Sequence, residues 1–408
     1  MSIDTAAKDL ASELLRQEYV EVLCHHDADG IAAGTIMATA LYRARIPFRL
    51  RITNRLTEEN VPALKPLLLC DLGAGLSGLP EDTMVIDHHV PFFEGPYHVN
   101  PRLDGIDGDL ELSAAGAAYL VANALGDNRD LAGLVLLGII GDGQKVTGKN
   151  QDIYFEALAN GITTKKRGMI LPGRTYKEQV MLSTEPFFKG ISGSEEESDN
   201  LISMASDGEE LSMDTLCSLL VIHASEICRP EVLHNLWGDV WHLEREVVEN
   251  AHDLAFIVDA CGKAGEGSVA ASLCLRSPQK IDLAYETARN HRLELIREMN
   301  QYFTLPQTHE VTPVFCSKKS LSSDLADVIH RNIPGYLPVI VAFRNDDGTC
   351  SCSIRTRQKT GAFLGDVVHE LAGECGGSGG GHQYRAGATI SCDRLDAFVS
   401  GIAEVCNT

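Results

Sequence analysis

The stretch YVEVLCHHDADG, Tyr19 to Gly30, decides how this chain is read. Its first half is a short apolar run that predicts a strand over 19–24. Its second half is a polar turn ending in glycine, from which a small-residue helix is predicted to begin near Gly30 and to stop before Pro47. Alternate residues of an extended turn point the same way, so His25, Asp27 and Asp29 can face one centre. Three further acidic ends repeat the arrangement. Asp71 closes the apolar strand LLLC, Asp87 closes TMVI and is followed by His88 and His89, and Asp142 lies between glycines after an apolar helix, or pair of short helices, over 131–140. With FRLRIT at 48–53 as another strand, the alternation predicts a parallel sheet, whose ligands bind at the carboxyl ends of its strands. Four aspartates at such ends need a common reason, because a buried carboxylate requires a partner or a metal.

Carboxylates and imidazoles without thiolates at ligand spacing suit Mn²⁺, Mg²⁺ or a similarly borderline cation. The number of groups suggests two ions, with His25 and Asp27 on the first, Asp29, His88 and Asp142 on the second, and Asp71 as the bridge. A two-metal pair activates water and clamps the oxygens of a phosphoryl group, so phosphate ester hydrolysis is the expected chemistry.

The motif HHDADG, the strand-end Asp71, the Asp87-His88-His89 triplet and Gly141-Asp142 resemble the four metal motifs of the DHH phosphoesterase superfamily. GGSGGGH (376–382) resembles the glycine-rich signature of its associated C-terminal domain. CHHDADGIAAGT, the segment 98–121 and FFKGISG (187–193) look most like archaeal RecJ-like exonucleases. The resemblance covers the first 150 residues and the last 95 well, and the middle loosely. It implies Mn²⁺ on His25, Asp27 and Asp71, and a second ion on Asp29, Asp71, His88 and Asp142. His89 would face the scissile phosphate and Asp87 would orient an imidazole, while His26 is read as structural. On the substrate side it implies Asn100 near the metals, Arg355 and Arg357 on a C-terminal strand, and a phosphate-cradling loop of Gly379, Gly380 and Gly381 beside His382. The expected substrate is single-stranded DNA or RNA cut from an end, lying between the two domains. A short-oligonucleotide or cyclic-dinucleotide phosphodiesterase and a noncatalytic replication or repair scaffold are the alternatives, and a replication or repair protein is a further expected partner.

The rest of the 408 residues bounds this reading. Thirty-five basic against 57 acidic residues leave a net charge of -22, which excludes a generally basic nucleic-acid coat while allowing a local positive groove. No apolar run approaches the about 20 residues that a membrane span needs, so a cytoplasmic protein with no membrane partner is expected. Twelve cysteines without a CxxC pair read as buried thiols of a reducing compartment. The expected fold class is α/β: an N-terminal parallel-sheet catalytic domain over 1–160, a mostly helical connector or insertion over 161–305, and a small α/β substrate-binding domain over 306–408. In the last, two strands around the turn NDDG predict a hairpin; in the first, Ser113 is read as the N-cap of the helix AAGAAYLVANAL.

Overall fold

The computed structural model describes residues 2–406 except 64, 209, 307–309, 336, 358–362 and 382. The chain forms two compact units. One comprises Met1–Ile170 with Asp239–Arg289, and the other Leu171–Gly238 with Asn290–Thr408.

The first unit is built on five parallel strands, β1 (Val20–His25), β2 (Phe48–Thr53), β3 (Leu67–Cys70), β4 (Met84–Ile86) and β5 (His98–Val99), in the order β2-β1-β3-β4-β5. β1, β3 and β4 are buried on both faces, which is why they read as apolar runs, interrupted in β1 only by Glu21, buried against Arg51. The chain leaves β1 toward β2 through the helix α2 (Ala28–Arg43), then returns to the other side of β1 as β3, so the sheet reverses direction between β1 and β3. That reversal opens a crevice at the carboxyl ends of the two strands. The register places Cys24 beside Cys70, Cys70 beside Ile86 and Ile86 beside Val99. The next residue of each strand, His25, Asp71, Asp87 and Asn100, therefore stands in one row along the rim.

Three helices complete the frame of this rim. α1 (Ile3–Leu14) buries the apolar stripe of Ile3, Ala6, Ala7, Leu10, Ala11 and Leu14 in the same core as β1 and α2. α3 (Ala114–Leu125) starts at Ser113, whose hydroxyl accepts from the Gly116 N–H as the sequence predicts. α4 (Ala132–Gly141) is apolar on every side and accordingly buried from Ala132 to Ile139, ending at Asp142.

The second unit carries a five-stranded mixed sheet in the order Val314–Phe315, Val339–Arg344, Thr349–Arg355, Arg385–Ser391, Ser378–Gly381. The first pair is parallel and the others antiparallel, and the NDDG hairpin forms as expected. Two sequence expectations need correction here. The glycine-rich segment is an edge strand, not a loop: residues 378–381 pair with Thr389, Ala388, Gly387 and Ala386, because a run without side chains can lie flat against a neighbouring strand. The cysteines are not all thiols, since Cys350 and Cys392 are joined in a disulfide. The middle of the chain is mainly helical, with a two-stranded sheet of Thr163–Met169 and Trp237–Leu243 and a short hairpin over 206–211. Within the second unit, Asn332 ties the FFKGISG segment to the helix Ser322–Asn332. Its side-chain oxygen accepts from the Phe187 N–H (2.8 Å), and its amide donates to the Thr184 carbonyl (2.8 Å).

Candidate metal centre

Each polar end is turned toward the crevice by a local feature. His25 ends β1, and Asp27 then caps α2 by accepting from the Gly30 N–H at 3.0 Å. A Cβ on Gly30 would lie 2.5 Å from the His25 Cβ, so this residue must be glycine for the turn to close. Asp29, in the first turn of α2, reaches the start of α3 and accepts from the N–H groups of Ala114 (2.7 Å) and Ala115 (2.8 Å), the positive end of that helix. Asp71 leaves β3 in the left-handed region, φ 57°, an uncommon conformation that aspartate tolerates better than most residues and that turns its carboxylate off the sheet. Asp142 sits at the C-terminus of α4, where its charge adds to the negative end of the helix.

These side chains meet. His25 Nδ1 lies 2.8 Å from Asp27 Oδ2 and 3.3 Å from Asp71 Oδ2. On the other side of Asp71, His88 Nε2 is 3.4 Å from its Oδ1, 3.2 Å from Asp142 Oδ2 and 3.8 Å from Asp29 Oδ2. Among the described residues three groups could hold a metal ion: His25, Asp27 and Asp71; Asp29, His88 and Asp142; and Asp71, His88 and His89. Asp29 is fully buried and Asp71, Asp87 and His88 nearly so, whereas His89 is about one-third exposed.

The tautomers are set by the neighbours. His88 Nδ1 donates to the Gly108 carbonyl at 2.6 Å, which turns Nε2 toward the carboxylates. Gln144 also donates to that carbonyl (2.9 Å) and accepts from Asn150 (2.8 Å), so a buried amide chain holds the Gly108 oxygen in place. Asp87 Oδ1 accepts from the backbone N–H groups of His88 (2.8 Å) and His89 (3.1 Å) and from His89 Nδ1 (2.7 Å). Its Oδ2 accepts from the Ala74 N–H at 2.9 Å. Asn100, buried, donates to the His89 carbonyl (2.9 Å) and accepts from the Arg102 N–H (3.0 Å), and Arg102 Nε donates to the His88 carbonyl.

The centre carries an excess of negative charge. Burial, then the charges of Asp142 and Asp71, push the Asp29 carboxyl well above the usual carboxylate range, and burial with the Asp27 charge raises Asp71. Burial alone would deprotonate the imidazoles, but Asp27 and Asp71 hold His25, and Asp142 and Asp71 hold His88, well above the ordinary histidine value. Against the same burial, Asp87 raises His89 to about 9. Against the same burial, His25 holds Asp27 and His89 holds Asp87 below the usual carboxylate range. His25 Nδ1 and Asp71 Oδ1 are buried without a well-formed hydrogen bond. Orphaned donor atoms, a concentration of hard oxygens and two oriented imidazole nitrogens fit divalent cations.

The expected substrate-side residues of the C-terminal region lie in the second unit. Arg355 is buried at the end of its strand and gives its guanidinium to Asp327 (2.8 and 3.1 Å) and to the Ser323 hydroxyl (2.8 Å). Arg357 lies just beyond that strand and donates to the carbonyls of Ile333 and Gly335. Gly379, Gly380 and Gly381 form the edge strand, and His382 lies outside the described residues. Phe187 and Phe188 of the FFKGISG segment are core, whereas Tyr176 and Tyr384 are exposed.

Sequence reasoning missed Gln144 and Asn150. Only their spatial approach to His88 gives them a role, and GDGQ offered no signal beyond proximity to Asp142.

Comparison with known proteins agrees with this architecture. The DHHA1 domain model matches residues 320–408. Across 99% of its length the chain superposes on RecJ of Thermus thermophilus in complex with Mn²⁺, with TM-score 0.62 and 19% identity, although it spans only 54% of that chain. The chain thus carries a DHHA1 domain over residues 320–408 and has the fold of RecJ. CDC45 of Entamoeba histolytica shares the fold over 99% of both chains, with TM-score 0.67 and 14% identity. An uncharacterized protein of Methanocaldococcus jannaschii is 26% identical over 434 residues, 99% of this chain and 97% of its own. Among the described residues no helix is long and apolar enough to cross a membrane.

Proposed function

We propose that this protein is a DHH-type phosphoesterase that hydrolyses phosphodiester bonds of single-stranded nucleic acid from an end, using two divalent cations, Mn²⁺ or Mg²⁺. The observation that carries the reading is the place of Asp71. One carboxylate lies within 3.5 Å of His25 on one side and His88 on the other, the position of a bridge between two ions. In this reading His25, Asp27 and Asp71 hold the first ion, and Asp29, Asp71, His88 and Asp142 the second. Such a pair lowers the pKa of water and neutralises charge on a phosphoryl group.

The chain's own residues orient the reaction. The Gly108 carbonyl keeps the His88 Nδ1 proton in place, so Nε2 remains a ligand atom. Asp87 holds the His89 Nδ1 proton in the same way, which leaves His89 Nε2 as the donor to a phosphate oxygen. Asn100 fixes the backbone of that loop, so the donor does not drift from the phosphate. Gly379, Gly380, Gly381, Arg355 and Arg357 serve the nucleic-acid backbone in the C-terminal unit. Arg355 reaches a phosphate only by leaving Asp327, so its first task is to hold the end of its strand.

The noncatalytic alternative is disfavoured because every acidic and imidazole position of the centre is filled and oriented. Short oligonucleotides or cyclic dinucleotides are tested in the same experiment. Matched single-stranded DNA, RNA and dinucleotides, labelled at each end in turn, are incubated with Mn²⁺ and with the parent or D71A protein. Stepwise release from one end of long strands by the parent alone is expected. Cleavage of dinucleotides with none of a 20-mer overturns the exonuclease assignment, and equal turnover by D71A overturns the metal centre.

A further inference from the structure

The C-terminal region holds Cys350, Cys352, Cys375, Cys392 and Cys406, and all of them lie in or against one apolar core. Only Cys350 and Cys392 are joined, with their Cα atoms 5.1 Å apart, an ordinary span for the bond. The other ten cysteines of the chain are free. Burial does not explain the choice, because Cys352 is on the same strand face as Cys350 and is also buried. Position does. Thr349 pairs with Ser391 at the end of the Thr349–Arg355 and Arg385–Ser391 ladder, and the Cys392 N–H donates to the Gly348 carbonyl at 3.1 Å. Cys350 faces Ile390, so the two cysteines are set diagonally across the end of the ladder where the strands finish. They differ in access: Cys350 is fully buried, whereas Cys392 is partly exposed.

We propose that Cys350–Cys392 is a reversible thiol–disulfide site that closes and opens the C-terminal unit. The bond spans 42 residues. That ring contains Arg355, the helix Leu364–Glu374, the glycine edge strand and Arg385, the segment that carries most substrate-side candidates of this unit. None of the residues of the metal centre lies inside it. Reduction begins at the accessible sulfur. A thiolate of a dithiol attacks Cys392 Sγ, the Sγ–Sγ bond breaks, and Cys350 leaves as a thiolate that takes up a proton. The second thiol of the reductant then attacks the mixed disulfide, releasing Cys392 as a thiol and leaving the reductant as a cyclic disulfide. Two electrons and two protons pass from the dithiol to the protein sulfurs. Closure is the reverse exchange with a low-molecular-weight disulfide, which is reduced to two thiols as the protein bond forms.

The experiment uses the full chain equilibrated with excess oxidised glutathione, denatured and alkylated without reductant, and read by intact mass and peptide mapping. Ten alkyl groups and one linked pair, Cys350 with Cys392, are expected, rising to twelve groups after dithiothreitol. Amide exchange on the folded protein then reads the consequence. Dithiothreitol should speed exchange about tenfold or more within 350–392 and leave β1, β3 and β4 unchanged, because the ring no longer restricts local opening. The C350A/C392A double variant should exchange at the faster rate with and without reductant, while C352A should respond like the parent. Twelve alkyl groups before reduction, a link to Cys352 or Cys375 instead, or a reductant response that survives in the double variant overturns the proposal.

Discussion

Replacing Gly138 by alanine, a substitution that should favour a helix interior, is expected to damage this protein. Alanine is the better helix former by about 1 kcal/mol. Gly138, however, lies in α4 where the helix passes the candidate metal centre, and a Cβ there would stand 2.0 Å from Asp29 Oδ1 and 2.7 Å from Ser113 Oγ. Relieving the first contact requires the Asp29 carboxylate to move by about 1 Å or more. It has no free direction, being fully buried and held by the N–H groups of Ala114 and Ala115 at 2.7 and 2.8 Å. Hydrogen bonds to a charged group contribute about 1.5–3 kcal/mol each, so losing both outweighs the gain in propensity and leaves a net loss of about 2–5 kcal/mol. For a protein with units of this size the thermal midpoint should fall by about 5 °C or more. Calorimetric titration with Mn²⁺ should show loss of the ion assigned to Asp29, His88 and Asp142, with His25 and Asp27 still binding. An unchanged or raised midpoint, together with the parent's metal stoichiometry, would refute the reasoning that Asp29 is seated between α3 and α4.

Four other outcomes follow from the same geometry. D71A should lose at least about 10³-fold in phosphodiesterase turnover with its fold intact, as measured by rate and circular dichroism, since no other carboxylate touches both histidine groups. H88Q should lose bound metal, whereas H89Q should keep it and turn over slowly; equal metal loss in purified H88Q and H89Q would show that their roles are wrongly divided. N332A should destabilise the second unit by about 2–4 kcal/mol in urea unfolding, because it orphans the Phe187 N–H and the Thr184 carbonyl. His330 supplies a pH test: burial, then the Arg357 and Arg355 charges, lower it from 6.5 to about 4. The unfolded chain therefore binds its proton first, and stability should fall as pH drops from about 6.5 to about 4, a slope that H330N should flatten.

Much of the centre was legible because strand-end chemistry is local. An apolar run that stops at an aspartate announces both the strand and its polar rim, so β1, β3 and β4 and the residues His25, Asp71, Asp87 and His88 could be named before any coordinates. α4 was equally plain, since a helix without a polar face has only the core to occupy. The short strand β5 was not legible: two residues, His98 and Val99, carry no periodicity, and they become a strand only because β4 offers an open edge. The glycine segment misled for a related reason. Glycine permits a loop and a flat edge strand equally, and the choice is made by the Arg385–Ser391 strand beside it.

The chain by itself determined which chemistry can occur here, because the types and spacing of aspartate and histidine at apolar strand ends are properties of the one-dimensional order. Only the tertiary structure decided how those groups divide their work. Asp71 acquires His25 on one side and His88 and His89 on the other because β3 lies between β1 and β4, His88 acquires its tautomer from Gly108, Asp87 is turned to His89, and Arg355 is claimed by Asp327. Each of these depends on a partner distant in sequence, or on a side-chain direction. Local pattern cannot encode either, since hydrogen-bond and charge energies change over ångströms that sequence separation does not measure.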